Sequence, residues 1–163
     1  MRLVSCFFIV LSLFLTASAQ AQTLQGTYGD WKVFTHTENG RKLCYIASTP
    51  KKKMGNYTKR GEPFVLVTHR SPVIDEVSVS SGFPYKKGSE VAVAVDKLPH
   101  ALFTEGERAW AYDEKGDAQL VRHMAGGARL VIKGVSEKGT KAEDTYSLDG
   151  FTKARRTMKT LCN

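Results

Sequence analysis

The residues of this 163-residue sequence best suited to covalent chemistry are its three cysteines, Cys6, Cys44 and Cys162. A cysteine pair persists as a disulfide only in an oxidising compartment, whereas in a reducing one it more often stays as thiols or binds metal. Neither Cys44 nor Cys162 has a second cysteine or a histidine at zinc-ligand spacing, which disfavours a two-cysteine metal site. The compartment of the protein therefore decides what these cysteines do.

The first 21 residues predict export. Arg2 precedes an apolar run of about 13 residues, shorter than the roughly 20 needed to cross a bilayer as an uncleaved anchor. Small residues, Ala19 and Ala21, precede the expected signal-peptidase site, so we predict a signal peptide of residues 1–21 and a mature domain of residues 22–163. Cleavage after Ala19 is the main alternative. The mature chain would have no transmembrane span, and loss of Arg2 lowers its formal net charge from +8 to +7.

Export predicts a disulfide between Cys44 and Cys162. Removal of Cys6 with the signal peptide leaves an even pair in a compartment without cytosolic reductants. Two unrelated buried thiols are the alternative. The bond would fasten the C-terminal segment to a strand near the start of the mature domain.

The residue types that support catalysis occur without a recognised catalytic spacing. No G-x-S-x-G elbow, H-x-x-x-H pair or phosphate-binding glycine loop is present. The pairs Asp75–Glu76 and Glu143–Asp144 would point to opposite strand faces, so we interpret them as solvated turn or edge residues. We predict no catalytic, cofactor-binding or metal-binding residues and a protein that is not an enzyme. A site assembled from distant residues is the remaining alternative.

Residues 51–60 are the one anomaly in composition. Five positive charges fall within these ten residues, on Lys51, Lys52, Lys53, Lys59 and Arg60. They predict a contact loop for anionic envelope or host-surface glycans and lipids. Export argues against nucleic acid as the partner. A solvated hairpin loop that only keeps the chain soluble is the alternative interpretation.

The clearest structural element is a hairpin around Asn39-Gly40, the preferred residue pair for a type I′ turn. With these residues in the turn, Thr35 lies opposite Cys44 and Val33 lies opposite Ile46. The two-residue period of a strand then predicts one buried face, made of Trp31, Val33, Cys44 and Ile46.

The rest of the mature domain reads as short strands followed by a helix. Alternating segments predict strands at 63–69, 76–81, 90–96, 101–105, 108–113, 129–136 and 142–148. A short helix is predicted over 117–127, and helical spacing of apolar residues after Gly150 predicts a second one that docks on the buried face of the hairpin. The fold class is mainly β: a single-domain antiparallel β-sandwich or barrel with a C-terminal helix.

Several segments together resemble the invasion-associated locus B family of exported proteins from Gram-negative bacteria. They include "GDWKV", "CYIASTP", "LFTEGERAWA", "DAQLVRHMAGG" and "DTYSLDGF", followed by a cysteine near the C-terminus. The resemblance runs from Gly29 to Cys162, and the "KKK" at 51–53 does not correspond to the family pattern. It implies no cofactor and no catalytic residue.

The resemblance implies an exported, non-enzymatic envelope protein, periplasmic or associated with the outer surface. Such a protein would contribute to host-cell invasion and virulence by binding. The alternative is a periplasmic module of envelope maintenance with only indirect effects on invasion. The protein partner is left open.

Overall fold

In the computed structural model, residues 22–38, 40–71 and 74–162 are described. The predicted signal peptide and Asn39 of the predicted turn lie outside these residues. The strands are β1 (Thr23–Tyr28), β2 (Trp31–Glu38), β3 (Arg41–Ser48), β4 (Lys52–Gly55), β5 (Phe64–Ser71), β6 (Ile74–Ser80), β7 (Glu90–Val95), β8 (Leu98–Glu105), β9 (Arg108–Trp110), β10 (Arg129–Val135) and β11 (Lys141–Ser147). The helices are α1 (Glu114–Gly126) and α2 (Phe151–Cys162).

The strands form one open antiparallel sheet in the order β1-β2-β3-β5-β6-β9-β8-β7-β10-β11-β4. The sheet curls so that its ends approach each other. The indole N–H of Trp31 in β2 donates to the carbonyl of Ser147 at the end of β11, at 3.1 Å. A single apolar core lies inside the curl. The predicted single-domain, mainly β antiparallel fold with a C-terminal helix is confirmed.

The predicted hairpin register is also confirmed. Thr35 pairs with Cys44 and Val33 pairs with Ile46 across β2 and β3. The four residues predicted to form its buried face are fully buried. Helix α2 covers this face, with Phe151 packed edge-on against Trp31 at a ring-centroid distance of 4.9 Å.

The structure contains the Cys44–Cys162 disulfide, with a Cα–Cα distance of 6.0 Å. It joins the buried face of β3 to the last turn of α2. Lys42 adds a hydrogen bond from its Nζ to the Leu161 carbonyl at 2.8 Å. The end of α2 is therefore held to β3 by covalent and polar contacts as well as by packing.

Some element boundaries differ from the sequence predictions. Strand β1 was not predicted, and it lies at one edge of the sheet beside β2. Strand β9 ends at Trp110 rather than at residue 113, because the chain turns there into α1. Helix α1 begins at Glu114, before the predicted residue 117, because the Asp113 carboxylate caps it by accepting the Gly116 N–H at 2.7 Å.

Candidate functional site

Part of the segment predicted as a basic loop is ordered by the sheet. Residues Lys52–Gly55 form β4, which pairs with Ala142–Thr145 of β11 at the sheet edge. The prediction of a loop is wrong for these residues. The main chain here is fixed by ladder hydrogen bonds, while the lysine side chains remain exposed.

Arg60 is not an accessible cation, which corrects its assignment as an anion contact. Its side chain is 3% exposed and that of Asp144 is 1% exposed. Two parallel hydrogen bonds join them, Nη1 to Oδ2 at 3.0 Å and Nη2 to Oδ1 at 2.5 Å. Burial alone would lower the pKa of Arg60, but the contact with Asp144 raises it above its usual value. The positive charge of Arg60 is therefore neutralised by Asp144 inside the protein and is not available to an external anion.

Arg60 instead anchors the segment that precedes β5. Its guanidinium lies over the ring of Tyr57, 4.2 Å from the ring centroid. The next residue, Gly61, donates its N–H to the Gly82 carbonyl at 2.7 Å. Gly82 has φ near +75°, and a Cβ there would lie 2.2 Å from the Gly61 carbonyl oxygen, so this approach requires glycine. The Tyr57 ring is thus held in place as one wall of a cleft.

The remaining four cations of the segment differ in their partners. Lys51 pairs with Asp30 at 2.5 Å and Lys53 pairs with Glu62 at 3.1 Å. Both lysines are well exposed, so each pair is worth about 0–1 kcal/mol and can exchange for another anion. Lys52 and Lys59 form no ion pair with any residue in the part of the chain that the structure describes.

A cleft of about 350 Å³ lies beside this segment. Three stretches distant in sequence form its walls: residues 56–59, residues 82–84, and the turn between β10 and β11. Its lining carries two lysines, two aromatic rings and several polar donors, on Asn56, Tyr57, Thr58, Lys59, Phe83, Ser136, Lys138 and Thr140. Glu137 is the one carboxylate among the lining residues. The arrangement can hold a hydroxylated ring that carries an anionic group.

Residues 31–159 match the invasion associated locus B (IalB) protein family. The chain belongs to the IalB family. The match spans most of the chain, and membership implies an exported or envelope protein. No curated protein sequence matches the chain.

The fold of this IalB family member is similar to the crystal structure of invasion associated protein B from Bartonella henselae. The TM-score is 0.63, with 18% sequence identity over 85% of this chain and 97% of that one. At this identity the likeness concerns the fold. In residues 22–38, 40–71 and 74–162, no helix is long and apolar enough to cross a membrane.

The interpretation of both carboxylate pairs as solvated turn or edge residues holds for only one member of each pair in this IalB family member. Each lies on a strand, and one carboxylate of each pair is buried: Asp75 and Asp144. Asp75 contacts Nδ1 of His69 at 2.7 Å and accepts a hydrogen bond from Nε of Arg155 in α2 at 2.7 Å. Buried carboxylates in this protein therefore link elements, because a buried charge needs such partners.

The fold also brings together two histidines that are distant in sequence. His100 Nε2 in β8 and His123 Nδ1 in α1 lie 2.9 Å apart. Burial, and to a lesser extent the neighbouring His123, lowers the pKa of His100. Among the described residues no group of three or more His, Cys, Asp or Glu side chains could hold a metal ion. The sequence offered no signal for this pair.

A third buried carboxylate, Asp117, lies near the start of α1. Its Oδ1 accepts the N–H of Val77 in β6 at 2.9 Å, beside the short ladder in which β9 pairs only with Ser78 and Val79. Asp117 is 8% exposed, and burial raises its pKa to about 6, with Glu76 and other nearby carboxylates adding to the shift. The Asp117 carboxylate accepts the hydrogen bond that a strand beside Val77 would otherwise accept, and the cost is a buried charge.

We expect Asp117→Asn to raise the free energy of unfolding by about 1–3 kcal/mol at pH 7.5. The asparagine oxygen can still accept the Val77 N–H. The folded-state pKa of about 6 exceeds the ordinary value of 3.8, so the wild type loses stability as pH rises from about 4 through 6. Urea unfolding at pH 4 and at pH 7.5 measures the effect, with the exposed Glu107→Gln as control. If Asp117→Asn raised the free energy of unfolding as much at pH 4 as at pH 7.5, the raised pKa of Asp117 would be contradicted.

Proposed function

We propose that this IalB family member is an exported, non-enzymatic protein that acts by binding anionic glycans or lipid head groups of the envelope or the host surface. Through this binding it contributes to host interaction. The observation that carries the proposal is the cleft lined by Lys59 and Lys138 together with Tyr57 and hydroxyl groups.

The cleft has the chemistry that such a ligand requires. Lysine ammonium groups attract sulfate, phosphate and carboxylate groups, and the face of Tyr57 offers a surface on which a sugar ring can stack. Lys52 on the neighbouring strand β4 and the net positive charge of the chain favour approach to an anionic surface. Three accessible lysines therefore support binding at one end of the sheet and its adjoining turn.

The lining of the cleft favours binding over catalysis. Among the residues that the structure describes, no histidine or cysteine lines it. Its one serine, Ser136, accepts a hydrogen bond from the N–H of Thr140 at 3.0 Å, which suits a turn residue better than a nucleophile.

The strength of binding follows from the number of accessible cations. Each basic residue near an anionic surface contributes about 1 kcal/mol, so Lys52, Lys59 and Lys138 together contribute about 3 kcal/mol. Screening over about 8 Å at physiological salt makes this contribution weaken as salt rises. We therefore expect weak, salt-sensitive binding that gains its specificity from the cleft.

We expect Lys59→Glu/Lys138→Glu to release from immobilised heparin at lower salt than the wild type. The matched control, Lys97→Glu/Lys115→Glu, changes the net charge equally on exposed lysines outside the cleft. It should shift the release point less. An equal shift in both variants would show that only net charge matters and would remove the role of the cleft. Both variants should keep the wild-type circular dichroism spectrum.

Parallel binding measurements with heparin, lipopolysaccharide and vesicles of anionic or neutral phospholipid distinguish the classes of ligand. A deletion strain then distinguishes the two cellular roles. Reduced host-cell entry with normal detergent resistance supports host interaction. Detergent sensitivity in the absence of host cells supports envelope maintenance instead.

A further inference from the structure

Three aromatic rings form a continuous surface on the outer side of the sheet. Phe103 in β8 pairs across the strands with Trp110 in β9, and their ring centroids are 5.8 Å apart. Tyr112, just after β9, lies 5.6 Å from the Phe103 ring and is 63% exposed. The alternate residues Leu102 and Ala109 are buried in the core, so Phe103 and Trp110 belong to the opposite face, and Tyr112 joins them through its contact with Phe103. This aromatic surface is not used by the core.

A shallow pocket of about 380 Å³ lies against these rings. Three carboxylates complete its lining, from Glu76, Glu105 and Asp117, and no lysine or arginine in the described part of the chain lines it. Glu76 is partly neutralised by Arg70 at 3.1 Å, whereas Glu105 forms no ion pair within the described residues. The pocket is therefore a local region of negative charge on a chain with a formal net charge of +8.

We propose that this pocket binds an organic cation, an ammonium group attached to a small apolar body. Aromatic faces attract cations through their quadrupole, with tryptophan the strongest, and the carboxylates add direct charge complementarity. An anionic ligand would be repelled. A neutral sugar could stack on the rings, but it would gain little from the negative charge that distinguishes this pocket.

The proposal concerns a different surface, ligand charge and set of residues from the basic cleft. Failure of the cation-binding proposal would therefore leave the proposal for the basic cleft unchanged, and the reverse also holds. The hydroxyl of Tyr112 donates to Glu90 of β7, which orients its ring from outside the pocket. This contact positions one aromatic face from Glu90, which does not line the pocket, and Glu105 is a lining carboxylate that forms no ion pair within the described residues.

The test is titration of the full mature protein with choline chloride, followed by calorimetry and by tryptophan fluorescence. Trp110 lies in the pocket and Trp31 is fully buried, so a change in emission reports on Trp110. We expect saturable binding that weakens with added NaCl. Glu105→Gln and Tyr112→Ala should each weaken binding about threefold or more, while Glu107→Gln, in the same β8–β9 turn but outside the pocket, should not.

Several outcomes would overturn the proposal. They are the absence of saturable heat with choline, equal weakening by Glu105→Gln and Glu107→Gln, and binding of D-glucose as tight as that of choline. The last result would assign the pocket to neutral sugars. Sodium acetate as titrant should give no response. Tyr112→Phe keeps the ring and should bind choline better than Tyr112→Ala, and failure of this order would exclude a role for the aromatic face.

Discussion

Cys162→Ser is expected to lower the free energy of unfolding by about 2–5 kcal/mol. The bond joins residues 118 apart in sequence, so it removes many conformations from the unfolded chain. It also holds the last turn of α2 to β3, where Phe151 packs against Trp31. Without it, α2 retains its packing but loses its covalent link, and its amides should exchange faster with solvent.

Urea unfolding and hydrogen exchange measure this effect in the mature protein. Reduced wild type is the matched control, because it lacks the bond but keeps both sulfur atoms. It should unfold at nearly the same urea concentration as Cys162→Ser. Equal stability of oxidised wild type and the variant would contradict the structural role of the bond. Two alkylatable thiols in protein purified from the periplasm would exclude its formation there.

Asp144→Asn is expected to lower the free energy of unfolding by about 3–5 kcal/mol. The substitution leaves the Arg60 guanidinium buried without its anionic partner, and an uncompensated buried charge is the dominant cost. The neighbouring residue Glu143 also forms an ion pair, with Lys133, but it is more exposed than Asp144. Glu143→Gln is therefore the matched control and should cost less than about 1 kcal/mol.

The double substitution Arg60→Met/Asp144→Leu tests the origin of this loss. Removal of both charges should recover much of the stability lost in Asp144→Asn, since no unpaired charge remains in the core. Tyr57 would still lose its cation–π contact, so heparin retention through the cleft should fall even where stability recovers. If the double variant is as unstable as Asp144→Asn, packing rather than charge is responsible.

Local patterns in the sequence predicted several parts of this protein correctly. The Asn39-Gly40 pair and the two-residue alternation predicted the register of β2 with β3, because a two-residue turn leaves one pairing. Cysteine number and the predicted export predicted the Cys44–Cys162 pairing. Helical spacing predicted α2 and the face on which it docks. Short motifs in a fixed order indicated the family.

Only the tertiary structure decided the roles of individual charges. In sequence, Arg60 is one of five neighbouring cations and Asp144 is half of an acidic pair, yet the fold buries both together. Lys138 joins Lys59 in one cleft because a distant turn packs beside residues 56–59. The physical reason is that alternation and turn chemistry are local, whereas the exposure of a charge depends on which distant strand pairs beside it. The sequence by itself determined most of the elements and the family, and tertiary pairing decided which side chains reach solvent.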